Sequence, residues 1–324
     1  MQELELIEFQ KKRDFSLKLN VTFEFAKRNF KGLGSSLLFI AGPPILVASL
    51  LMSSFISDFL GMMGGVAKDP EVFSSYFLAG SFWLKIGMMF LFLMVSYVAV
   101  ISTSYNYMLH YQESRGARPE VGDIWNRVRN TMGMYIGTTF LFAILTLVLY
   151  IVALIPVAVA QTLGPFISVL GVFALMIFVI YAFVAMSFVY CIRAFEGKGF
   201  LTAIQRSFYL IRGKWWSTFG LIIILSLLVV IITYVFTLPA GIIGVIGAAH
   251  RVQEKTTEQG VIPMISYVLY ALGYIVQMLL YTLPNLGIAF QYFNLVELKE
   301  AKGLMDKIDS MGSVASSEKG EEHY

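Results

Sequence analysis

The sequence predicts an all-α, polytopic membrane protein with six transmembrane helices. Three observations lead there. Only 14% of the residues are charged while 57% are hydrophobic, against about 25% charged in a soluble globular domain. The charges are missing altogether from five long intervals: residues 32–57, 86–109, 130–192, 215–249 and 259–296. And the apolar runs do not alternate. The stretch "LIIILSLLVVII" at residues 221–232 is apolar in both parities, which excludes a barrel strand of period two and suits a helix that is greasy all round.

The elements follow in chain order. A hydrocarbon core of about 30 Å needs about 20 apolar residues in a helix. Intervals 32–57 and 86–109 supply the first two crossings. Interval 130–192 holds 63 residues, about 95 Å as a single helix, so it must cross twice. "QTLGP" at 161–165 supplies Gly and Pro for the hairpin. Intervals 215–249 and 259–296 give the fifth and sixth crossings. The residues before the first crossing are polar and rich in Lys, Arg and Glu. They lack the apolar core of a cleavable signal, so the first membrane helix is expected to direct insertion. One cysteine, Cys191, allows no intrachain disulfide, and it is expected to be a small packing residue near the end of the fourth helix.

Six crossings put both termini on one side. Sorting the 24 Lys and Arg by side gives 20 with the termini and 4 opposite (Lys68, Lys85, Arg251, Lys255). By the positive-inside rule both termini face the cytoplasm. No separate basic domain exists, so nucleic acid is not an expected partner. Anionic lipid headgroups on the cytoplasmic side are; no protein partner is indicated.

A short motif, Glu, any residue, a base, Gly, occurs three times just after an apolar run: "ESRG" at 113–116, "EGKG" at 196–199 and "EAKG" at 300–303. Glycine commonly ends a helix, and a base in the last turn suits the negative end of the helix dipole. After each motif, and near the N-terminus, apolar residues recur at helical spacing. These are Phe15, Leu19, Phe23, Ala26 and Phe30; Ile124, Val128, Met132 and Tyr135; Phe200, Ile204, Phe208, Ile211 and Trp215; and Leu304, Ile308 and Met311. Asp14, Asp123, Gly199 and Gly303 precede the four faces and are acceptable N-caps. The predicted unit is an amphipathic interfacial helix plus a transmembrane hairpin. Repeat one is residues 14–116, repeat two 117–199 and repeat three 200–303. A fourth amphipathic helix at 304–312 and a disordered cytoplasmic tail at 313–324 follow. An apolar face flanked by bases is the composition of a helix lying in the membrane interface; extensions of the long helices are the alternative. Candidate headgroup anchors are Arg115, Lys198, Lys302, Arg206, Arg212, Trp215 and Trp216.

The stretches "FSLKLNVTFEFAKRNFKGLGSSLL" (15–38) and "FLTAIQRSFYLIRGKWWSTFGLII" (200–223) resemble the membrane domain of bacterial glycerophosphodiester phosphodiesterases and related bacterial membrane families of unknown function. The resemblance implies amphipathic helices leading into membrane helices, and a place in the bacterial inner membrane. No counterpart of the phosphodiesterases' soluble catalytic domain occurs in these 324 residues, so their chemistry does not transfer.

Catalytic signals are not found. His110, His250 and His323 are scattered, no carboxylate cluster or metal-ligand spacing occurs, and "EGKG" lacks the glycine spacing of a phosphate loop. No catalytic residue, metal or cofactor is expected. The sixth crossing carries Tyr267, Tyr270, Tyr274, Gln277 and Tyr281 on one face, a candidate groove for a lipid or small ligand; helix–helix hydrogen bonding is the competing explanation. Helix breakers at Gly42-Pro43-Pro44, Pro156, Pro239 and Pro284 are out of register between the repeats, which favours packing kinks over a transporter's broken helices. The expected role is a non-catalytic inner-membrane protein, lipid-engaging or scaffolding. The alternative is a permease for a lipid or small hydrophobic molecule.

Overall fold

Helices are the only regular secondary structure among the described residues. The structure, a computed structural model, describes residues 6–66, 71–162, 164–254, 261–305 and 308. Twelve helices run in order through these residues: α1 (Phe15–Arg28), α2 (Phe30–Ile40), α3 (Gly42–Val66), α4 (Glu71–Leu78), α5 (Gly80–Glu113), α6 (Val121–Thr162), α7 (Pro165–Ala185), α8 (Val189–Glu196), α9 (Phe200–Ile211), α10 (Trp215–Glu254), α11 (Val261–Leu280) and α12 (Thr282–Glu300). Six segments are long and apolar enough to cross a membrane: Gly42–Met63, Gly80–Glu113, Val121–Pro156, Pro165–Glu196, Trp215–Gly247 and Met264–Glu300. That is the make-up of a multi-pass membrane protein.

Several of these helices are longer than a bilayer is thick. The 42 residues of α6 extend about 63 Å at 1.5 Å per residue, twice the hydrocarbon core. Most of its first third, with Ile124, Val128 and Tyr135 buried, therefore extends the crossing. The separate amphipathic helix expected over Ile124–Tyr135 is not there. Nothing between Asp123 and Thr162 stops the helix, and Asp123 lies inside its first turn. There it accepts from the Glu120 backbone N–H at 3.2 Å. The other two expected amphipathic helices are discrete. Asp14 caps α1 by accepting from the Leu17 N–H at 2.8 Å. Gly199 caps α9, which stops where Gly213 turns left-handed at φ +81°. Gly303 lies beyond the left-handed cap Ala301, within a further helical turn rather than ahead of it. Leu304 and Ile308 are exposed; Met311 and the tail 313–324 lie outside the described residues.

The predicted apolar faces of α1 and α9 are buried only in part: Ile211 is buried, and Ala26, Phe200, Ile204 and Trp215 pack against the core. Helix α1 buries Lys18, Val21, Thr22 and Phe25, and leaves Phe15 and Phe23 outward, as does Phe30 at the start of α2. Helix α9 buries Ala203, Ser207, Leu210 and Ile211 while Phe208 is exposed. Each helix thus uses one side for the protein and offers aromatic rings to what surrounds it.

Prolines fall where helices tolerate them. Pro43 and Pro44 lie in the first turn of α3 and Pro284 in that of α12, where no intrahelical N–H partner is lost. Pro156 and Pro239 are carried inside α6 and α10.

The core gathers around the segment before α1 and the C-terminal half of α12. Phe9 packs edge-on to Phe25 and Phe290 and stacks on Tyr111, with ring centroids 5.4–5.8 Å apart. The segment before α1, read from sequence only as polar, is therefore a strap. Ile7 and Phe9 are buried, the Ile7 N–H reaches the Tyr111 Oη at 3.2 Å, and the Arg13 N–H reaches Asn294 Oδ1 at 2.7 Å. Helices α3, α10 and α11 pack closely against one another. The α6–α7 hairpin joins through α5 and keeps most of its apolar surface open: Phe140, Ile144, Leu147, Ile151, Phe173 and Phe183 are all exposed.

Candidate functional site

The three repeated motifs share a structural role. Their glutamates, Glu113, Glu196 and Glu300, are the last residues of α5, α8 and α12. A left-handed residue follows each: Arg115 and Gly116, Gly197, and Ala301. The glutamates then reach an arginine. Glu113 pairs with Arg127 of α6 at 2.5 Å. Arg206 of α9 takes both of the others: its Nε meets Glu196 at 2.5 Å, while Nη1 and Nη2 fork onto Glu300 at 2.8 and 2.9 Å. Tyr292 donates to Glu196 at 2.7 Å and Lys198 stands at 3.2 Å. The Glu300 and Glu196 carboxylates hold the Arg206 pKa above its ordinary value. This clasp joins α8, α9 and α12. Two motif glycines serve the N-terminal strap. A Cβ on Gly303 would lie 2.9 Å from the Gln10 carbonyl, and one on Gly116, at φ +87°, 2.9 Å from Leu6.

The candidate anchors accordingly divide. Arg206 is locked between two carboxylates and Lys198 faces one. Arg115, Lys302 and Arg212 are exposed. Trp215 is half-buried and sends its indole N–H toward the Tyr181 carbonyl at 3.4 Å, while Trp216 is 77% exposed.

Two recesses flank α9. One, of ≈ 440 Å³, is lined by Tyr181, Phe208, Tyr209, Ile211, Arg212 and Trp215. Tyr181, Trp215 and Phe219 form an aromatic stack there, with successive centroids 5.8 and 4.9 Å apart. Behind it, Lys299 donates to the Tyr209 and Arg212 carbonyls. The other, of ≈ 590 Å³, is an apolar groove between α6 (Leu141, Ile144, Leu145, Val148) and the start of α9 (Phe200, Leu201).

The residues of the tyrosine stripe make separate contacts. Tyr267 donates to the Leu50 carbonyl at 3.0 Å and its own carbonyl accepts from Ser53, so it joins α11 to α3. Tyr270 packs beside Gly241. Tyr274 is buried with a hydroxyl that has no partner, and Tyr281 sits at the break before α12. Gln277 is half-buried.

Two ionisable groups lie near the ends of membrane-length segments, Lys85 in the second turn of α5 and Cys191 in α8, which closes the span Pro165–Glu196. Lys85 of α5 pairs with Asp58 of α3 and donates to Ser54 at 3.0 Å. Cys191 is fully buried, its thiol 3.3 Å from the Tyr105 hydroxyl. Among the described residues no group of three His, Cys, Asp or Glu could hold a metal ion.

No curated protein and no solved structure matches the chain. A family model described as a domain of unknown function (DUF7847) matches residues 115–286, more than half of the sequence, from the first motif to the start of α12, and the chain belongs to that family.

Proposed function

We propose that this protein engages lipids in the leaflet that meets its basic end, as a non-catalytic, multi-pass protein of the bacterial inner membrane with both termini in the cytoplasm. The 20-to-4 distribution of bases supports the orientation. The resemblance to the phosphodiesterase membrane domains supports the bacterial location. The three glutamates that each end a helix before a left-handed residue support a repeated helix end, although the amphipathic helix is a separate element only in the first and third units.

One observation carries the lipid reading: the recess of ≈ 440 Å³ beside α9. Its size is that of a small-molecule site. Its aromatic wall of Tyr181 and Trp215 is of the kind that settles at headgroup depth. Arg212 at its rim supplies a fork for a phosphate or carboxylate. The apolar groove on the other side of α9 suits an acyl chain. Native mass spectrometry of the gently extracted protein tests this. The wild type is expected to retain phospholipid, and the double variant Arg212→Gln/Trp215→Ala to retain at least threefold less. Equal retention would remove the recess from the proposal.

A permease is the second reading, favoured by buried polar atoms without partners: the Tyr274 Oη on α11, and Thr282 Oγ1 and Asn285 Nδ2 on α12. Buried polar groups are ordinarily satisfied, so these suit a ligand or water inside the bundle. Replacing Tyr270, Tyr274 and Gln277 by Phe, Phe and Leu is expected to abolish a ligand held there. Unchanged ligand retention would reject it.

A further inference from the structure

Hydroxyls buried in these helices follow one habit. Thr22, Ser36, Ser96, Ser104, Thr138 and Thr233 each donate to the carbonyl four residues back, at 2.6–2.9 Å. That bond is the nearest one open to a Ser or Thr inside a helix, and lipid supplies no other. Two buried threonines do not make it. Thr103 of α5 is 0% exposed and Thr282, the first residue of α12, is 5% exposed, yet neither Oγ1 has a partner among the described residues. The carbonyl that Thr103 would use, that of Ala99, is taken by Ser102 at 3.2 Å. Asn285, one turn along α12, is 6% exposed, and its Nδ2 is equally bare.

These three side chains stand at one depth. Phe9 touches Tyr111 of α5 and Phe290 and Phe293 of α12, with ring centroids 5.2–5.8 Å apart. Thr103 comes eight residues before Tyr111, Thr282 eight before Phe290, and Asn285 eight before Phe293. Helices α5 and α12 pack against each other, and both end at the basic side. Each of the three residues therefore lies about 12 Å outward of the Phe9 cluster. That level is midway along the span Met264–Glu300, where α11 gives way to α12. Buried polar groups are ordinarily paired; here two helices bring three bare ones to the same level of a helix break.

We propose that Thr103, Thr282 and Asn285 form a binding site, inside the membrane-spanning bundle, for a small uncharged solute rich in hydroxyls, a polyol of glycerol size. The donor set dictates that chemistry. A threonine hydroxyl both donates and accepts, and an amide offers two donors and an acceptor, so the three complement adjacent hydroxyls. No Asp, Glu, Lys, Arg or His occurs in residues 86–109 or 261–296, so an ion bound there would have no counter-charge. The rings of Phe9, Phe25, Tyr111, Phe290 and Phe293 close the inner side. Tyr274, eight residues outward of Thr282, carries another bare hydroxyl on the outer side. The proposal deepens the permease reading, on whose buried atoms of Thr282 and Asn285 it rests, but it requires binding and not passage.

The full chain in glycerol-free mild detergent is titrated with radiolabelled glycerol, and displacement by unlabelled glycerol defines saturable binding. Asn285→Leu and Thr103→Val, close in shape to the residues they replace, are each expected to weaken it at least fivefold. Thr103→Ser should keep it within twofold. The unliganded unfolding midpoints of Asn285→Leu and Thr103→Val should stay equal or rise, because bare buried polar groups are removed; a merely structural amide or hydroxyl would lower them. Glycerol phosphate, which is charged, should not compete. Absence of saturable glycerol binding leaves internal water as the only partner of these groups and overturns the proposal. Binding unchanged in both variants, or equal competition by glycerol phosphate, also overturns it. Glycerol uptake into proteoliposomes separates the site from the permease reading. Binding without uptake keeps the site and rejects the permease, whereas uptake unchanged by Asn285→Leu keeps the permease and rejects the site.

Discussion

At the residue scale, Arg206 shows what the repeated motif is for. Its side chain is 17% exposed and Glu196 12%, so the pair is screened from water far more than an ordinary surface bridge. Removing one partner of a buried pair strands the other charge, at about 3–5 kcal/mol when burial is complete. Partial exposure and the remaining Lys198 reduce that. Arg206→Ala is expected to destabilise by about 2 kcal/mol, read as a lower unfolding midpoint in detergent. Arg206→Lys should recover only part, since an ammonium cannot fork onto Glu300 while holding Glu196. Lys18 behaves in the opposite sense. Its folded pKa is lowered by burial and by Lys214, against the pull of Asp14. Below that depressed value the lysine is charged in both folded and unfolded chains, and the fold bears the full penalty. As pH rises from there towards the ordinary lysine value of about 10.4, the folded chain sheds its proton first and gains relative stability. Comparison of wild type with Lys18→Gln between pH 8 and 10.5 should show the wild type closing its deficit. A constant gap would contradict the burial argument.

At the scale of elements, two close approaches fix how helices meet. A Cβ on Gly287 of α12 would lie 2.2 Å from Leu225 Cδ1 of α10, and Leu225 is itself 1% exposed with no room to retreat. Gly287→Ala should therefore overpack the junction and cost about 1–3 kcal/mol. Gly241→Ala, whose new methyl would stand 3.4 Å from the Tyr270 hydroxyl, should be near neutral by the same thermal assay. Helix α9 offers a sharper contrast within adjacent positions. Ser207 is buried and donates to the Ala185 carbonyl at 2.7 Å, whereas Phe208 is 40% exposed. A spin label at 208 in bilayers should be relaxed by lipid-soluble oxygen, and one at 207 should be immobilised and shielded. Similar water exposure at both would remove the interfacial placement of α9.

For the molecule as a whole, the sequence made the crossings legible because lipid imposes a crude rule, absence of charge over some 20 residues. It left the junctions illegible because they depend on partners distant in the chain. The glutamate of "EGKG" reads from the sequence only as part of a helix end, since nothing local announces that Arg206 will also meet Glu300, 94 residues away. The same holds for Lys18, since nothing near it in the sequence announces that it meets Ser217, 199 residues on. Ile7 and Phe9 stand out in no way, because two apolar residues in a polar segment make no periodic signal. What charge counting does supply is a sidedness that can be checked end to end. Glu113, Glu196 and Glu300 close their helices at the basic end, and Ser114 lies just past the first of them while Ser75 lies in α4 between the first two crossings. The buried Cys191 can be replaced by alanine to give a background without thiols. In inverted and right-side-out vesicles, Ser114→Cys and Ser75→Cys are then expected to react with a membrane-impermeant maleimide from opposite sides, Ser114 from the side that bears the termini. Labelling of both from one side would break the six-crossing topology. Opposite labelling with Ser114 reached from outside would keep the topology and reverse the orientation, placing the recess beside Arg212 in the outer leaflet.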